Sequence, residues 1–298
     1  LMLSGERKIM FVPNMKHLFG GRRWRIALVA GLSWLASAWA VELPANPIYS
    51  FGVAPEHSVT FLARVSVPLL NVLQAKSGLQ LRFATAPDLP TFERRLAAGE
   101  YDFAYMDPYH YTVFHQHPGY WVFAKEKDRL LRGIVVVRQD APYRELTDLR
   151  GQTLVFPAPA AFAATLLART EFARLGIAIT PRFVTSHDSV YLNVARGFHP
   201  AGGGIVRTFE RLQPEVRDRL RILWTTQAFP PSAFAAHPRI PVAVVERLQQ
   251  AMLHLDDDAA GRAALATIGF KAIATARDAD YDVVRALHIE LLDPLPED

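Results

Sequence analysis

The chain has 298 residues, half of them hydrophobic and 21% charged, and it contains no cysteine. That length suits two domains of ordinary size, and the composition excludes a disordered or collagen-like chain. Without cysteine there are no disulfides, thiolate metal sites, cysteine nucleophile or lipidated cysteine. The net charge of +4 misleads, because residues 1–40 hold six cations and one acid, and the remainder carries −1. Nucleic acid and anionic membrane are therefore not expected partners.

From Met15 the sequence has the three parts of a secretory signal. Lys16, Arg22, Arg23 and Arg25 form the positive end, Ile26–Leu35 the apolar stretch, and Ala38-Trp39-Ala40 a small-x-small cleavage site. Cleavage is expected after Ala40, with Met15 as the initiator. The apolar run is shorter than the roughly 20 residues that span a bilayer. No later segment reaches that length without charges, so the mature chain is expected in the periplasm and outside the membrane.

After a polar tether, Ile48–Val53 reads as a buried strand. Ser58–Lys76 has helical spacing, with Phe61, Leu62, Val65, Leu69, Leu70 and Leu73 on one side. Leu79–Ala84 alternates as a strand, Thr91–Ala98 is helical, and Tyr101–Met106 is a strand. This βαβαβ order predicts a parallel sheet with crossover helices. Asp107-Pro108 opens a short helix with a cap residue and a first-turn proline. Strands follow at Tyr120–Ala124 and Gly133–Arg138. The α/β alternation then repeats: strand Thr153–Phe156, helix Ala160–Leu175, strand Arg182–Val184, helix Ser189–Arg196, a glycine run at Gly202–Gly204, and strand Ile222–Thr225. Phe229-Pro230-Pro231 breaks the chain, and the last 60 or so residues read as helical, clearest at Val242–Leu253 and Asp257–Ile268. Two α/β units and a helical return predict two lobes joined by crossing strands. The first comprises residues 41–137 and 229–298, the second 138–228.

Tyr105, Tyr109, His110 and Tyr111 fall at a strand end and the first turn of a helix, where free N–H groups attract anions. His187-Asp188-Ser189 precedes a helix, so Asp188 or Ser189 can cap it, and His187 can donate to a ligand with a pKa near neutrality. Pro157–Ala161, with Ala160, could hold an anion by backbone amides alone. Gly203 lies in a run permitting close backbone approach. Arg207 reads as a surface arginine able to pair with a carboxylate or phosphate. No HExxH, GxSxG, Walker or Rossmann motif appears, so catalysis is not expected. Asp256-Asp257-Asp258 lacks calcium-loop spacing and suits a helix cap.

The segments FATAPDLPTFERRLAAGEYDFAYMDPYHY, ELTDLRGQTLVFPAPAAFAAT and VTSHDSVYLNVARGFHPAGGG resemble, in that order after a signal peptide, the periplasmic solute-binding proteins of phosphate, phosphite and phosphonate ABC transporters. The resemblance covers residues 48–240 or so. It implies a class II periplasmic binding protein: two α/β lobes, a hinge of two crossover strands, and a ligand in the cleft that closes on binding. It implies that Tyr105 or Met106 contacts the anion from the first lobe and His187 from the second. The family's Ser-Thr-Ser turn is replaced by Pro157-Ala158-Pro159-Ala160-Ala161-Phe162, with no hydroxyl before Thr165. Gly202–Gly204 stand where an acid is usual, and Ser232 where an aspartate is usual. The implied partners are a small anionic ligand and a transporter permease, with a monomeric protein, no cofactor and no metal. A sensor-kinase adaptor, or an enzyme like those forming the thiamine pyrimidine, are the alternatives on this scaffold.

Overall fold

The structure, a computed structural model, describes residues 47–289 and 291. The expected leader, its cleavage site and the initiator lie outside the described residues. Strand β1 (Ile48–Val53) is followed by helix α1 (Val59–Ser77), whose Leu62, Leu69, Leu70 and Leu73 stripe is buried as the spacing requires. Leu73 is wholly inaccessible to solvent, and burying such a side chain contributes about 1.5–3 kcal/mol. Gly78, in the left-handed region at φ 67°, ends α1, and its N–H donates to Gln74 O. Next come β2 (Gln80–Ala84), α2 (Leu89–Ala97), β3 (Phe103–Met106), α3 (Pro108–Gln116) and β4 (Trp121–Glu126). As the Asp-Pro pair predicts, Asp107 Oδ1 caps α3 by accepting the His110 main-chain N–H at 2.8 Å.

The second half of the chain builds another sheet. It contains β5 (Gly133–Arg138), β6 (Thr153–Phe156), α4 (Leu167–Arg174, entered through a π-helical turn at Phe162–Leu166), β7 (Thr180–Phe183) and α5 (His187–Ala195). It continues with β8 (Ala201–Ile205), α6 (Val206–Glu210), α7 (Pro214–Arg217) and β9 (Leu220–Thr225). The chain then returns through β10 (Ala233–Ala236), α8 (Val242–Leu253), α9 (Ala259–Ile268), β11 (Ile273–Thr275) and α10 (Asp282–Arg285). The first sheet has the order β11-β4-β10-β3-β1-β2 and the second β7-β6-β8-β5-β9. β1, β2 and β3 are mutually parallel, as predicted, while β10 and β11 enter antiparallel. α8 and α9 pack with α1 on one face of the first sheet.

Three expectations change. β5 hydrogen-bonds to β8 and β9, so Gly133–Arg138 belongs with the second sheet and not with the first. The chain passes between the sheets over residues 127–132 and 226–232, where Leu131 and Phe229 exchange both main-chain hydrogen bonds at 2.8 and 2.9 Å. The Gly202–Gly204 run, to which the sequence reading gives no strand, is the centre of strand β8. A Cβ on Gly203 would lie 2.1 Å from Ala164 O, and one on Gly204 would lie 2.1 Å from the Tyr191 hydroxyl. Glycine is needed there because the π-helical turn and α5 press on opposite faces of the strand. β10 lies just before, and β11 within, the stretch expected to be mostly helical, and neither strand is expected; each is only three or four residues long and lies among proline or helix signals that mask it.

Candidate functional site

The carboxyl ends of β1 and β3, where open parallel sheets present their ligand crevices, face the second sheet's loops. Two adjoining cavities lie there and share Ala54 and Glu56 as walls. The larger, of about 70 Å³, runs between α1 and the first sheet, bounded by Phe51, Leu69, Phe234 and Phe270. Its rim carries Tyr105 and Glu56 from the first sheet's side and Arg207 and Arg211 from α6 and the residue after it. The smaller, of about 30 Å³, is walled by Pro157, Ala161 and Phe162 opposite Leu89, Asp107 and His187.

Arg207 is the principal charge of the larger cavity. Its Nη1 donates to the Tyr105 hydroxyl at 3.1 Å and lies 3.3 Å from Glu126 Oε2. Its guanidinium also sits over the Phe270 ring, 5.2 Å from the centroid. The Nε is buried and has no hydrogen-bond partner among the described residues, as is also true of Glu126 Oε2. Burial raises the Glu126 carboxyl above its ordinary range, against the pull of Arg207 and Arg129. Burial likewise raises the Tyr105 hydroxyl, against Arg207. The Tyr105 ring packs against Phe234 with centroids 4.6 Å apart, which fixes its direction. Arg211 donates to the Thr267 and Ile268 carbonyls, each at 2.7 Å, at the end of α9.

The smaller cavity has the opposite character. The Phe162 N–H, at the turn where the sequence suggests an anion held by amides, donates to Asp107 Oδ2 at 3.3 Å. The side chain that caps α3 thus fills the position expected for a ligand oxygen. His187 also departs from expectation. Its imidazole is buried, its Nδ1 is 3.3 Å from Thr208 Oγ1, and burial pushes its pKa down to about 4 rather than near neutrality. Its main-chain N–H donates to the Glu56 carbonyl at 3.2 Å, joining the two sides. Asp188 does not cap α5. It holds His57 Nδ1 at 3.1 Å across the cleft, and the cap is Ser186, whose Oγ accepts the Ser189 N–H at 3.2 Å.

Of the residues singled out in the sequence, Tyr105 and Arg207 line the larger cavity, and Pro157, Ala158, Ala161 and His187 line the smaller. The others fall elsewhere. Met106 and Ala160 are buried in a core shared by the two sheets. Tyr109 is buried too, its ring stacked on Phe162 at 6.5 Å and bordering a hollow beside α10. Gly203 is covered by Phe156 and Ala164. Asp188 and Ser189 serve the His57 pair and the α5 cap. His110 is fully buried between Glu93 Oε1 at 2.9 Å and Asp107 Oδ2 at 3.0 Å. Burial alone would lower its pKa, but the two carboxylates outweigh that and raise it to about 10, so it is a structural cation. Reading by residue type misses Glu56, His57, Phe61 and Arg211, and takes Arg207 for a surface residue. Glu56-His57 follows directly on the end of a parallel strand, and that position is a usable signal. Among the described residues, no group of three His, Cys, Asp or Glu could hold a metal ion.

A mixed α/β pair of sheets, two passages between them and a crevice at the strand ends define a two-lobed periplasmic binding protein. The sequence profile of the family described as "ABC transporter, phosphonate, periplasmic substrate-binding protein" matches residues 51–281, and the chain belongs to that family. Its members are binding proteins of transporters rather than enzymes, and the family places the protein in the periplasm. The fold matches a binding-protein component of a phosphonate ABC transporter from Pseudomonas aeruginosa at TM-score 0.75 and 17% identity, covering 82% of this chain and 86% of that one. It matches PhnD1 from Prochlorococcus marinus, solved with methylphosphonate, at TM-score 0.75 and 15% identity over 83% of this chain and 99% of that one. A Xanthomonas citri protein solved with ATP matches at TM-score 0.64 and 19% identity, over 80% and 95% of the two chains. Among the described residues no helix is long and apolar enough to cross a membrane.

Proposed function

We propose that the protein captures a small anionic solute between its two sheets and delivers it to the permease of an ABC importer. On this reading it is exported with cleavage after Ala40. The lobes are the two sheets with their helices, and the passages at 127–132 and 226–232 are the hinge. Ligand contacts that exist only when the lobes meet would favour the closed form, and that differential affinity drives closure. One observation carries the proposal: Arg207, from the second sheet's side, reaches Tyr105 on the first while a buried Nε–H remains without a partner among the described residues. A guanidinium so placed suits a carboxylate, phosphate or phosphonate oxygen. The relatives solved with methylphosphonate and with ATP make phosphorus oxyanions the first probes.

The anion is assigned to the Arg207 side, since Asp107 opposes an anion in the smaller cavity, His187 is neutral near pH 7, and Glu56, which borders both cavities, is offset by arginine only in the larger. The test is a thermal-shift and calorimetric screen of phosphate, methylphosphonate, ATP and simple carboxylates on the purified protein. Saturating a tight ligand raises the melting temperature with its excess over Kd. A hit whose binding also reduces the radius of gyration in solution scattering is the expected result. No shift with any anion, or a hit whose affinity is unchanged in Arg207→Gln, would overturn the proposal.

A further inference from the structure

The larger cavity does not end at its charged rim. Behind Arg207 and Tyr105 it continues between α1 and the first sheet, walled by Phe51, Leu62, Leu69, Leu70 and Phe234. Ser66 is the only polar wall residue contributed by α1. An inorganic oxyanion at Arg207 would leave this space unused. We infer that the ligand is an amphiphilic acid, with a singly charged carboxylate or phosphonate head on Arg207 and a short alkyl tail in the pocket behind it. This deepens, and rests on, the reading of the cleft as the solute site.

Charge and size both constrain the ligand. The rim holds Arg207 and Arg211 against Glu56, and Glu126, outside the cavity wall, lies 3.3 Å from Arg207, so the formal charges of this set balance. Arg211 is already committed to the α9 carbonyls, which leaves Arg207 as the guanidinium available to a head group. The neighbouring Glu56 carboxylate disfavours a head with two negative charges. The space of about 70 Å³ equals the share of roughly two water molecules in the liquid, enough for two or three tail carbons. Phe270 and Phe234, with Tyr105 packed on the latter, give the tail an aromatic wall where it leaves the rim.

The experiment is calorimetric titration of the purified protein with linear alkanephosphonates and carboxylates from methyl to hexyl, with inorganic phosphate as the probe lacking a tail. Each of the first two or three methylenes should tighten binding about fourfold, the factor given by about 0.8 kcal/mol per buried CH2, after which the gain should stop. Ser66→Leu, which fills the pocket from α1, should abolish that slope. Ser66→Val serves the same purpose if the leucine variant does not fold. Arg207→Gln should weaken every member by a similar factor and keep the slope. Binding that is flat or falls with chain length, while phosphate or methylphosphonate binds, overturns the tail and leaves the solute-binding reading intact. Equal weakening of every compound by Ser66→Leu overturns the tail in the same way. Failure of every compound, with and without a tail, overturns both.

Discussion

The two cavities share a wall and differ in everything else. One is apolar in depth and presents a buried guanidinium at its rim; the other is lined by alanine, proline and leucine and contains carboxylates and a neutral histidine. In the second, the amide that could grip an anion is already satisfied by Asp107. The contrast teaches that the position a local pattern suggests and the position its surroundings leave open can part company within one cleft. A helix entrance binds what its surroundings leave it free to bind, and here a neighbouring acid has taken the place.

The sharpest way to break this comparison is Arg207→Gln. Losing a charge-assisted bond should weaken the anion roughly 100-fold, and removing the cation paired with buried Glu126 should cost up to about 3–5 kcal/mol of stability, less what Arg129 offsets. The double variant Arg207→Gln/Glu126→Gln should recover the stability but not the binding, read by chemical denaturation alongside calorimetry. Equal affinity in the single variant would leave the two cavities indistinguishable.

His110 offers the next largest effect. Its pKa stands at about 10 in the fold against 6.5 when free, so its stabilisation is complete below about pH 6.5 and drains away as pH climbs through about 10. The melting temperature should fall across that window, and His110→Gln, already destabilised at pH 7, should flatten the fall. His187 works in the acid direction: held near 4 in the fold, it subtracts stability as pH drops from 6.5 toward 4. His187→Asn should reduce the acid loss without touching the alkaline limb.

Asp107→Asn would convert part of the second cavity toward the first. Freeing the Phe162 amide of a competing charge should strengthen phosphate binding by roughly a few-fold, while removing one of the His110 partners lowers the melting temperature. Weaker phosphate binding in that variant would show that Asp107 supports the anion rather than opposing it. The smallest effect belongs to the His57–Asp188 pair, because Asp188 is 39% exposed. Asp188→Asn should change ligand affinity by less than about fivefold, within the range of solvent-screened pairs.

Most of the scaffold is legible in the sequence because its signals are local. The stripe of leucines on α1, the left-handed glycine after it and the Asp107-Pro108 cap each act within a few residues. β8 is not legible, since three consecutive glycines give no sign of a strand until the π-helical segment and Tyr191 are seen pressing on both sides. The same misreading hides Arg207, which only becomes a cleft residue once the strand before it is recognised. His110 and Asp107 do stand at a strand end as their spacing suggests, but their roles depend on Glu93 and Phe162, which come from other elements and leave no mark in the local pattern. His187 is singled out by resemblance; its depressed basicity arises from depth of burial, which no spacing reports.

The pairing of Leu131 with Phe229 has a mechanical consequence. Because the outgoing and returning passages are stitched together by two amide–carbonyl bonds, they form one ribbon rather than two independent tethers. Any swing of one sheet against the other has to bend both strands of that ribbon together, which penalises twisting and sideways sliding. If the lobes close as proposed, their travel would then be like that of a book cover, and a side chain such as Arg207 would return to the same place at each closure.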